Sequence, residues 1–264
     1  MSDDTLLFEV TADGIAVITL NRPDKLNAFT TEMLLAWGDC LLEAQAREDV
    51  KVVILTGSGR GFCSGGDLGR FADKAKETAW RRKNDLECRV HRIPLIMETM
   101  DKPVIAAVNG VATGAGMDMA LMCDMRIAAA SARFAETYVR AGIFAGDGGA
   151  WYLPRLIGPA KAMELLLSAR FVNADEAERI GLVNRVVPDE QLLEETLAFA
   201  RQIAAQPPLA VRMMKRAVRQ GMSQDLRSHL DMASSHMAVL YSTADHAEAL
   251  AALAQKRPGR FEGE

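Results

Sequence analysis

Ala106-Ala107-Val108-Asn109-Gly110-Val111-Ala112-Thr113-Gly114-Ala115-Gly116-Met117-Asp118 runs from an apolar strand pattern through glycines into a helical one, with one acid near the helix start. Backbone N–H groups in the first turn of a helix lack an intrahelical acceptor, and small residues there let a ligand oxygen approach the peptide plane. A second turn of this kind, Gly61-Phe62-Cys63-Ser64-Gly65-Gly66-Asp67-Leu68, follows the apolar run Val52-Val53-Ile54-Leu55-Thr56. Two such donors facing one point form an oxyanion hole. Two strands that each feed a glycine turn predict an α/β chain.

The remainder of the sequence sets the frame. The chain has 264 residues, 49% hydrophobic and 25% charged, with a net charge of −4. That is a globular composition. Mild acidity argues against bulk binding to nucleic acid or anionic membrane, while leaving room for a local basic pocket. No apolar stretch reaches the roughly 18 residues of a membrane span, and Met1-Ser2-Asp3-Asp4 is acidic where a signal peptide is basic, so a cytoplasmic protein is expected. Cys40, Cys63, Cys88 and Cys123 have neither zinc spacing nor disulfide density and read as reduced thiols. The histidines His91, His229, His236 and His246 fall in helical patterns without metal spacing, so no metal site is expected.

Along the chain, Phe8-Glu9-Val10 and Ile15–Leu20 around Asp13-Gly14 predict a β-hairpin. Thr30 or Thr31 caps a predicted helix reaching about Ala46, with Met33, Leu34, Trp37, Leu41 and Leu42 at helical spacing. The charged segment Ala72–Met100, which includes Trp80-Arg81-Arg82-Lys83, predicts an exposed helix over the mouth of the site. Pro103–Val108 and Met125–Ala130 read as strands, with Ala115–Met122 as a helix between them. Strands and helices alternate to about residue 188, which predicts an α/β core of stacked ββα units over residues 1–188. Residues 189–264 read as helical, broken at Pro207-Pro208 and near Gly221. Their apolar stripes, with Met213, Met214, Leu230, Met237 and Leu240, predict packing on another subunit.

These motifs together resemble the crotonase (enoyl-CoA hydratase/isomerase) superfamily. The resemblance rests on Asn21-Arg22-Pro23 with Lys25-Leu26-Asn27-Ala28, then Gly61–Leu68, then Ala106–Asp124 ending in Leu121-Met122-Cys123-Asp124. Pro154-Arg155-Leu156-Ile157-Gly158, Ala162–Leu165, Ala174–Ala177, Gly181–Val187 and Tyr241-Ser242-Thr243 extend it over nearly the whole chain. It implies a crotonase-like spiral of ββα units with a C-terminal helical oligomerisation region, forming a homotrimer or a dimer of trimers. It implies an acyl-CoA thioester substrate, coenzyme A being part of that substrate and no separate cofactor being needed. The thioester carbonyl is then expected between the N–H groups of Gly66 and Ala115. Lys25, Leu26, Ala28, Ser64, Asp67 and Leu68 occupy positions resembling those along the coenzyme A path, and Lys256 matches a family helix that can reach it.

The chain departs from the family at its acids. Hydratases of the family use two glutamates, which fall here on Asp118 and Tyr138. Asp118 keeps a carboxylate shorter by one carbon–carbon bond, about 1.5 Å, and Tyr138 is a poor general base at neutral pH. Asp147, in Gly146-Asp147-Gly148-Gly149, lies one residue from where isomerases of the family carry their single acid, and Glu136 is a further candidate whose simpler reading is a surface residue. Hydration of a 2-enoyl-CoA is the expected activity. Double-bond isomerisation, ring opening or thioester hydrolysis, and a non-catalytic acyl-CoA-binding scaffold are the alternatives. Met117, Met119, Tyr138, Phe144 and Trp151 are expected to line the acyl pocket.

Two other motifs compete. Gly57-Ser58-Gly59-Arg60-Gly61 after a strand resembles a dinucleotide loop with its third glycine one residue early. Gly61-Phe62-Cys63-Ser64-Gly65 matches a cysteine nucleophile elbow, though the preceding strand pattern ends early, at Thr56.

Overall fold

The apolar runs become a six-stranded sheet in a computed structural model that describes residues 5–67 and 77–264. Leu68 and the start of the Ala72–Met100 segment lie outside the described residues. Strands β1 (Leu6–Val10) and β2 (Ile15–Leu20) form the expected antiparallel hairpin, with Gly14 at φ 77° in its turn. Parallel pairing then adds β3 (Val52–Gly57), β5 (Val104–Val108), β7 (Met125–Ala129) and β10 (Arg185–Val187), in the order β1-β2-β3-β5-β7-β10.

A second sheet is built from the strand that follows each of three of these. Its members are β4 (Gly61–Cys63), β6 (Val111–Thr113) and β8 (Arg133–Ala135), paired in parallel, with β9 (Val172–Asn173) antiparallel at its edge. The chain thus passes from the first sheet to the second three times, β3 to β4, β5 to β6 and β7 to β8. This is the predicted spiral of stacked units.

Both faces of the larger sheet are covered, as the near-continuous apolar runs require. Ala16, Ile18, Val53, Leu55, Val104 and Ala106 face one core, which includes α1 (Thr31–Ala46). The alternate residues Ile15, Val52, Ile54, Ile105 and Ile127 face Leu192, Ala200 and Ala204 of α8 (Leu192–Ala204). In α1 the Thr30 hydroxyl caps the Met33 N–H at 3.2 Å, and Met33, Leu34, Trp37 and Leu41 are buried. Leu42 instead faces solvent, because the turn of about 100° per residue carries it off the stripe that Leu34, Trp37 and Leu41 define.

Among its described residues, the segment expected as one exposed helix is three pieces. They are α2 (Ala79–Asp85), a π-helical turn Leu86–Val90, and α3 (Arg92–Thr99), and Val90, Ile93 and Met97 bury themselves in the core that α1 lines. The expectation of exposure fails here because the charged residues lie mostly in the first half. Lys83 pairs with Glu87 and Arg89 with Asp85 on a solvated face.

Glycines 114 and 116 open α4 (Ala115–Met122). Between β8 and β9 lie a 3-10 turn Tyr138–Ala141, α5 (Gly149–Ile157) and α6 (Pro159–Ser168), and α7 (Ala174–Arg179) follows β9. The C-terminal helices are α8, α9 (Pro208–Gly221), α10 (Leu226–Tyr241) and α11 (Ala244–Gln255), with breaks at Pro207 and after Gly221 as expected and a further one at Ser242-Thr243, where the Thr243 hydroxyl caps α11. α9 docks on the core through charge. Lys215 Nζ lies 2.7 Å from Asp124 Oδ2 and donates to the Lys102 carbonyl at 2.6 Å, and Arg219 reaches Asp124 Oδ1 at 2.8 Å. Met214, Val218 and Met222 are left outward, as are Leu226 and Leu230 on α10. Among the described residues no helix is long and apolar enough to cross a membrane.

Candidate active site

The two glycine turns meet. Gly116 sits so tightly against the Cys63 carbonyl that a side chain at 116 would overlap it, which seats the start of α4 on the end of β4. A Cβ on Gly65 would lie 3.5 Å from the Ala115 nitrogen, and the Thr113 hydroxyl donates to the Ser64 carbonyl at 3.3 Å. Gly66 bridges to Phe29 using the Gly65 carbonyl and the Asp67 N–H, so the Gly66 N–H points away from that bridge. Ala115 is the first residue of α4 and has no acceptor within it. Among the described residues neither N–H meets an acceptor, and the partial positive charge of the helix N-terminus lies beside Ala115.

One turn into α4, Asp118 is wholly buried, at 0% exposure. It reaches outward through Tyr138, whose hydroxyl lies 2.6 Å from Asp118 Oδ2 and 2.8 Å from Asp147 Oδ2. A phenol has one proton and cannot donate to both carboxylates, so the second contact needs a proton on a carboxyl group. The electrostatics agree. Burial, and then the Asp147 charge, push Asp118 up to about 7, against the lowering effect of its hydrogen bond from Tyr138. Burial followed by the charges of Asp118 and Asp147 raises Tyr138 well above the usual phenol range, so it stands between the two acids as a neutral phenol.

Asp147 does not cap the helix that follows. That position belongs to Gly148 at φ 109°, and the carboxylate is turned to Tyr138 instead. Glu136 corrects an expectation. It is a core residue, 1% exposed, and not a surface one, because Phe134, Ala135 and Glu136 run inward from β8.

The residues expected along the coenzyme A path form one stitched turn. Ser64 donates its N–H to the Leu26 carbonyl at 2.9 Å and its hydroxyl to the Lys25 carbonyl at 3.3 Å. Arg22 donates to the Ala28 carbonyl at 2.5 Å and to Asp67 at 2.9 Å, so Asp67 bonds a guanidinium, not a helix end. Lys25 is exposed beside these, while Leu26 and Ala28 are half-buried. Lys256 lies apart, exposed at the end of α11. Of the expected acyl-pocket residues, Met117 and Met119 are buried, whereas Phe144 and Trp151 are 78% and 54% exposed, Trp151 stacking on Arg155.

Sequence reasoning missed two supports of this site. Asn27, wholly buried at φ 56°, donates to the Ser58 and Gly61 carbonyls at 2.9 and 2.7 Å and accepts from the Arg22 N–H, tying the path turn to the β3–β4 turn. An asparagine tolerates that backbone conformation, which is the signal its motif carried. His91 Nε2 lies 2.9 Å from the Gly146 carbonyl, one peptide before Asp147. No local pattern announces a contact across 55 residues.

The competing motifs do not survive. Gly57–Gly61 leads into β4, where a dinucleotide loop needs a helix. Cys63 is buried, donates to the Asn27 carbonyl, and has its thiol pushed up to about 12 by burial, the opposite of an activated nucleophile. Among the described residues no group of three His, Cys, Asp or Glu side chains is arranged as a metal site.

Known proteins place this arrangement. A crotonyl-CoA hydratase of Syntrophomonas wolfei is 40% identical over 94% of this chain and 95% of its own. A 1,2-epoxyphenylacetyl-CoA isomerase of Escherichia coli is 36% identical over 95% of each. The crystal structure of an enoyl-CoA hydratase from Bacillus anthracis superposes with a TM-score of 0.92 at 34% identity, over 98% of this chain and 100% of that one. The enoyl-CoA hydratase/isomerase family model matches residues 10–264. With its spiral of paired strands and its two converging glycine turns, this chain belongs to the enoyl-CoA hydratase/isomerase family.

Proposed function

We propose that this chain hydrates a 2-enoyl-CoA, with Asp147 as base and Tyr138, backed by Asp118, as acid. The observation that carries the reading is one phenol hydrogen-bonded to two carboxyl groups, one wholly buried and one half-buried. Burial favours the neutral form of Asp118. The resting order is then Asp118 O–H to Tyr138, Tyr138 O–H to Asp147, with the negative charge on the better-solvated Asp147.

The thioester carbonyl sits between the Gly66 and Ala115 N–H groups. Asp147 takes a proton from water as the water oxygen bonds C3, and the double-bond electrons move onto the carbonyl oxygen as an enolate. The two fixed donors stabilise that charge, and losing one such donor costs about 3 kcal/mol. C2 then takes the Tyr138 proton while Asp118 refills the phenol. Asp147 is left protonated and Asp118 charged. Transfer of the Asp147 proton to Tyr138, and of the Tyr138 proton to Asp118, restores the start with no external base.

Asp147→Asn and Asp118→Asn test this division. Both are expected to lower hydration by about a hundredfold or more, with binding of the acyl-CoA retained. Full activity of either variant overturns it. A second reading has one specific support. Asp118 is closed off from the surface, so Asp147 is the carboxylate nearer the mouth, and a single acid suits proton shuttling between C2 and C4. Conversion of a 3-enoyl-CoA to the 2-enoyl isomer, faster than hydration, favours that reading.

The C-terminal helices support assembly into a trimer or a dimer of trimers. α9 turns its charged residues to its own core and its apolar residues outward, and Val218, Leu226 and His229 line a cleft of about 400 Å³ between α9 and α10. A second copy is the occupant we assign, in the cytoplasm. Val218→Glu is expected to shift the protein to monomer in sedimentation velocity, and an unchanged sedimentation coefficient contradicts the assignment.

A further inference from the structure

Glu136 is an ionisable side chain that the proposed chemistry does not use, although it lies against Asp118. A Cβ on Gly149 would overlap Asp118 Oδ1 and come within 2.9 Å of Glu136 Oε1, so both oxygens crowd the space that this glycine leaves open. Glu136 is 1% exposed, and among the described residues no N–H or O–H donor is bonded to either of its oxygens. As a carboxylate it would be a bare buried charge beside a second acid. Among the described residues no cation offsets it.

We propose that Glu136 is a permanently protonated positioning residue that donates its O–H to Asp118, so that the three acids together hold a single negative charge. The chain of donors then runs one way, from Glu136 to Asp118, from Asp118 to Tyr138 and from Tyr138 to Asp147. Exposure increases along it, from the buried Glu136 and Asp118 to the half-buried Tyr138 and Asp147. That order puts the charge where water can solvate it. Every titratable neighbour favours the neutral form of Glu136. Asp118 faces it from α4 and Asp147 from the following loop, both acidic, while Tyr138 faces both acids and Tyr152 faces Asp118, each as a neutral phenol.

Two consequences follow for the site, given the proton-relay reading above. The Glu136 O–H supports the ionised form of Asp118, which must appear once per turnover. It also fixes Asp118 Oδ1, leaving Oδ2 to face Tyr138. Glu136 does not touch the reacting atoms and acts through Asp118.

The test begins with the resting protein and needs no substrate. Difference infrared spectroscopy at pH 6, below the value of about 7 to which Asp118 is raised, is expected to show two carboxylic acid carbonyl bands, shifted in deuterated water, of which Glu136→Gln removes one and Asp118→Asn the other. Absence of a band that Glu136→Gln removes overturns the proposal, whether or not the protein hydrates enoyl-CoA. Turnover supplies the second readout. Glu136→Gln keeps a donor and is expected to retain kcat within about threefold, whereas Glu136→Met is expected to lose about tenfold or more in kcat with KM little changed. Equal kcat in both variants overturns the positioning role, and the Gln variant decides the assignment of the band if the Met variant fails to fold.

Discussion

Replacing Tyr138 by Phe removes one oxygen and leaves the ring, so its effect isolates the bridge between the two carboxyl groups. That oxygen is bonded at 2.6 Å to Asp118 and at 2.8 Å to Asp147. A hydrogen bond to a charged group contributes roughly 1.5–3 kcal/mol, which corresponds to about one to two pKa units at 1.36 kcal/mol per unit. The phenol lowers Asp118, so its loss sends that acid further above about 7. The larger effect is on proton delivery. Asp118 loses its route to C2, and removal of a positioned proton donor costs about 10²–10⁴ in rate. The assay is stopped-flow loss of enoyl-thioester absorbance from pH 5 to 9, with binding of the unreactive saturated acyl-CoA as the control. Hydration within threefold of the parent protein, with an unmoved alkaline limb, would refute the relay.

Other consequences can be checked alongside. Gly116→Ala places a methyl group on the Cys63 carbonyl, and overpacking of this kind costs about 1–3 kcal/mol or more, to be read as a lowered urea midpoint together with loss of acyl-CoA binding. His91→Leu frees the Gly146 carbonyl, so kcat is expected to fall about tenfold with KM nearly unchanged, and His91→Gln to recover most of it. The buried acids also set the pH dependence of stability. Asp118 ionises near 3.9 when unfolded and is pushed up to about 7 in the fold, so its contribution is complete below about 3.9 and is lost as pH rises through about 7. Urea unfolding of Asp118→Asn is therefore expected to show a shallower decline in stability between pH 4 and 7 than the parent, and identical slopes would count against the shift.

Much of this was legible in the sequence because its physics is local. A glycine turn between a strand and a helix announces a close approach of backbone, and the turns at Gly65 and Ala115 lie side by side. The hairpin and the Thr30 cap were legible for the same reason. Glu136 was not, since its burial depends on how β8 and α5 close over it and not on its neighbours in the chain. Nor was the contact of His91 with Gly146, which requires the π-helical turn to bring that ring across the site. The proton count at Tyr138 needs two distances that no spacing rule supplies. Leu42 shows the opposite failure, a residue of the right type that the helical phase carries to the surface.

The most direct test is mass spectrometry of a short 2-enoyl-CoA incubated with the protein in deuterated water. Hydration through an enolate held by Gly66 and Ala115 predicts a product heavier by one water that carries one non-exchanging deuterium at C2. Recovery of the thioester without added water, whether inert, isomerised or merely exchanged at C2 or C4, contradicts the hydratase account.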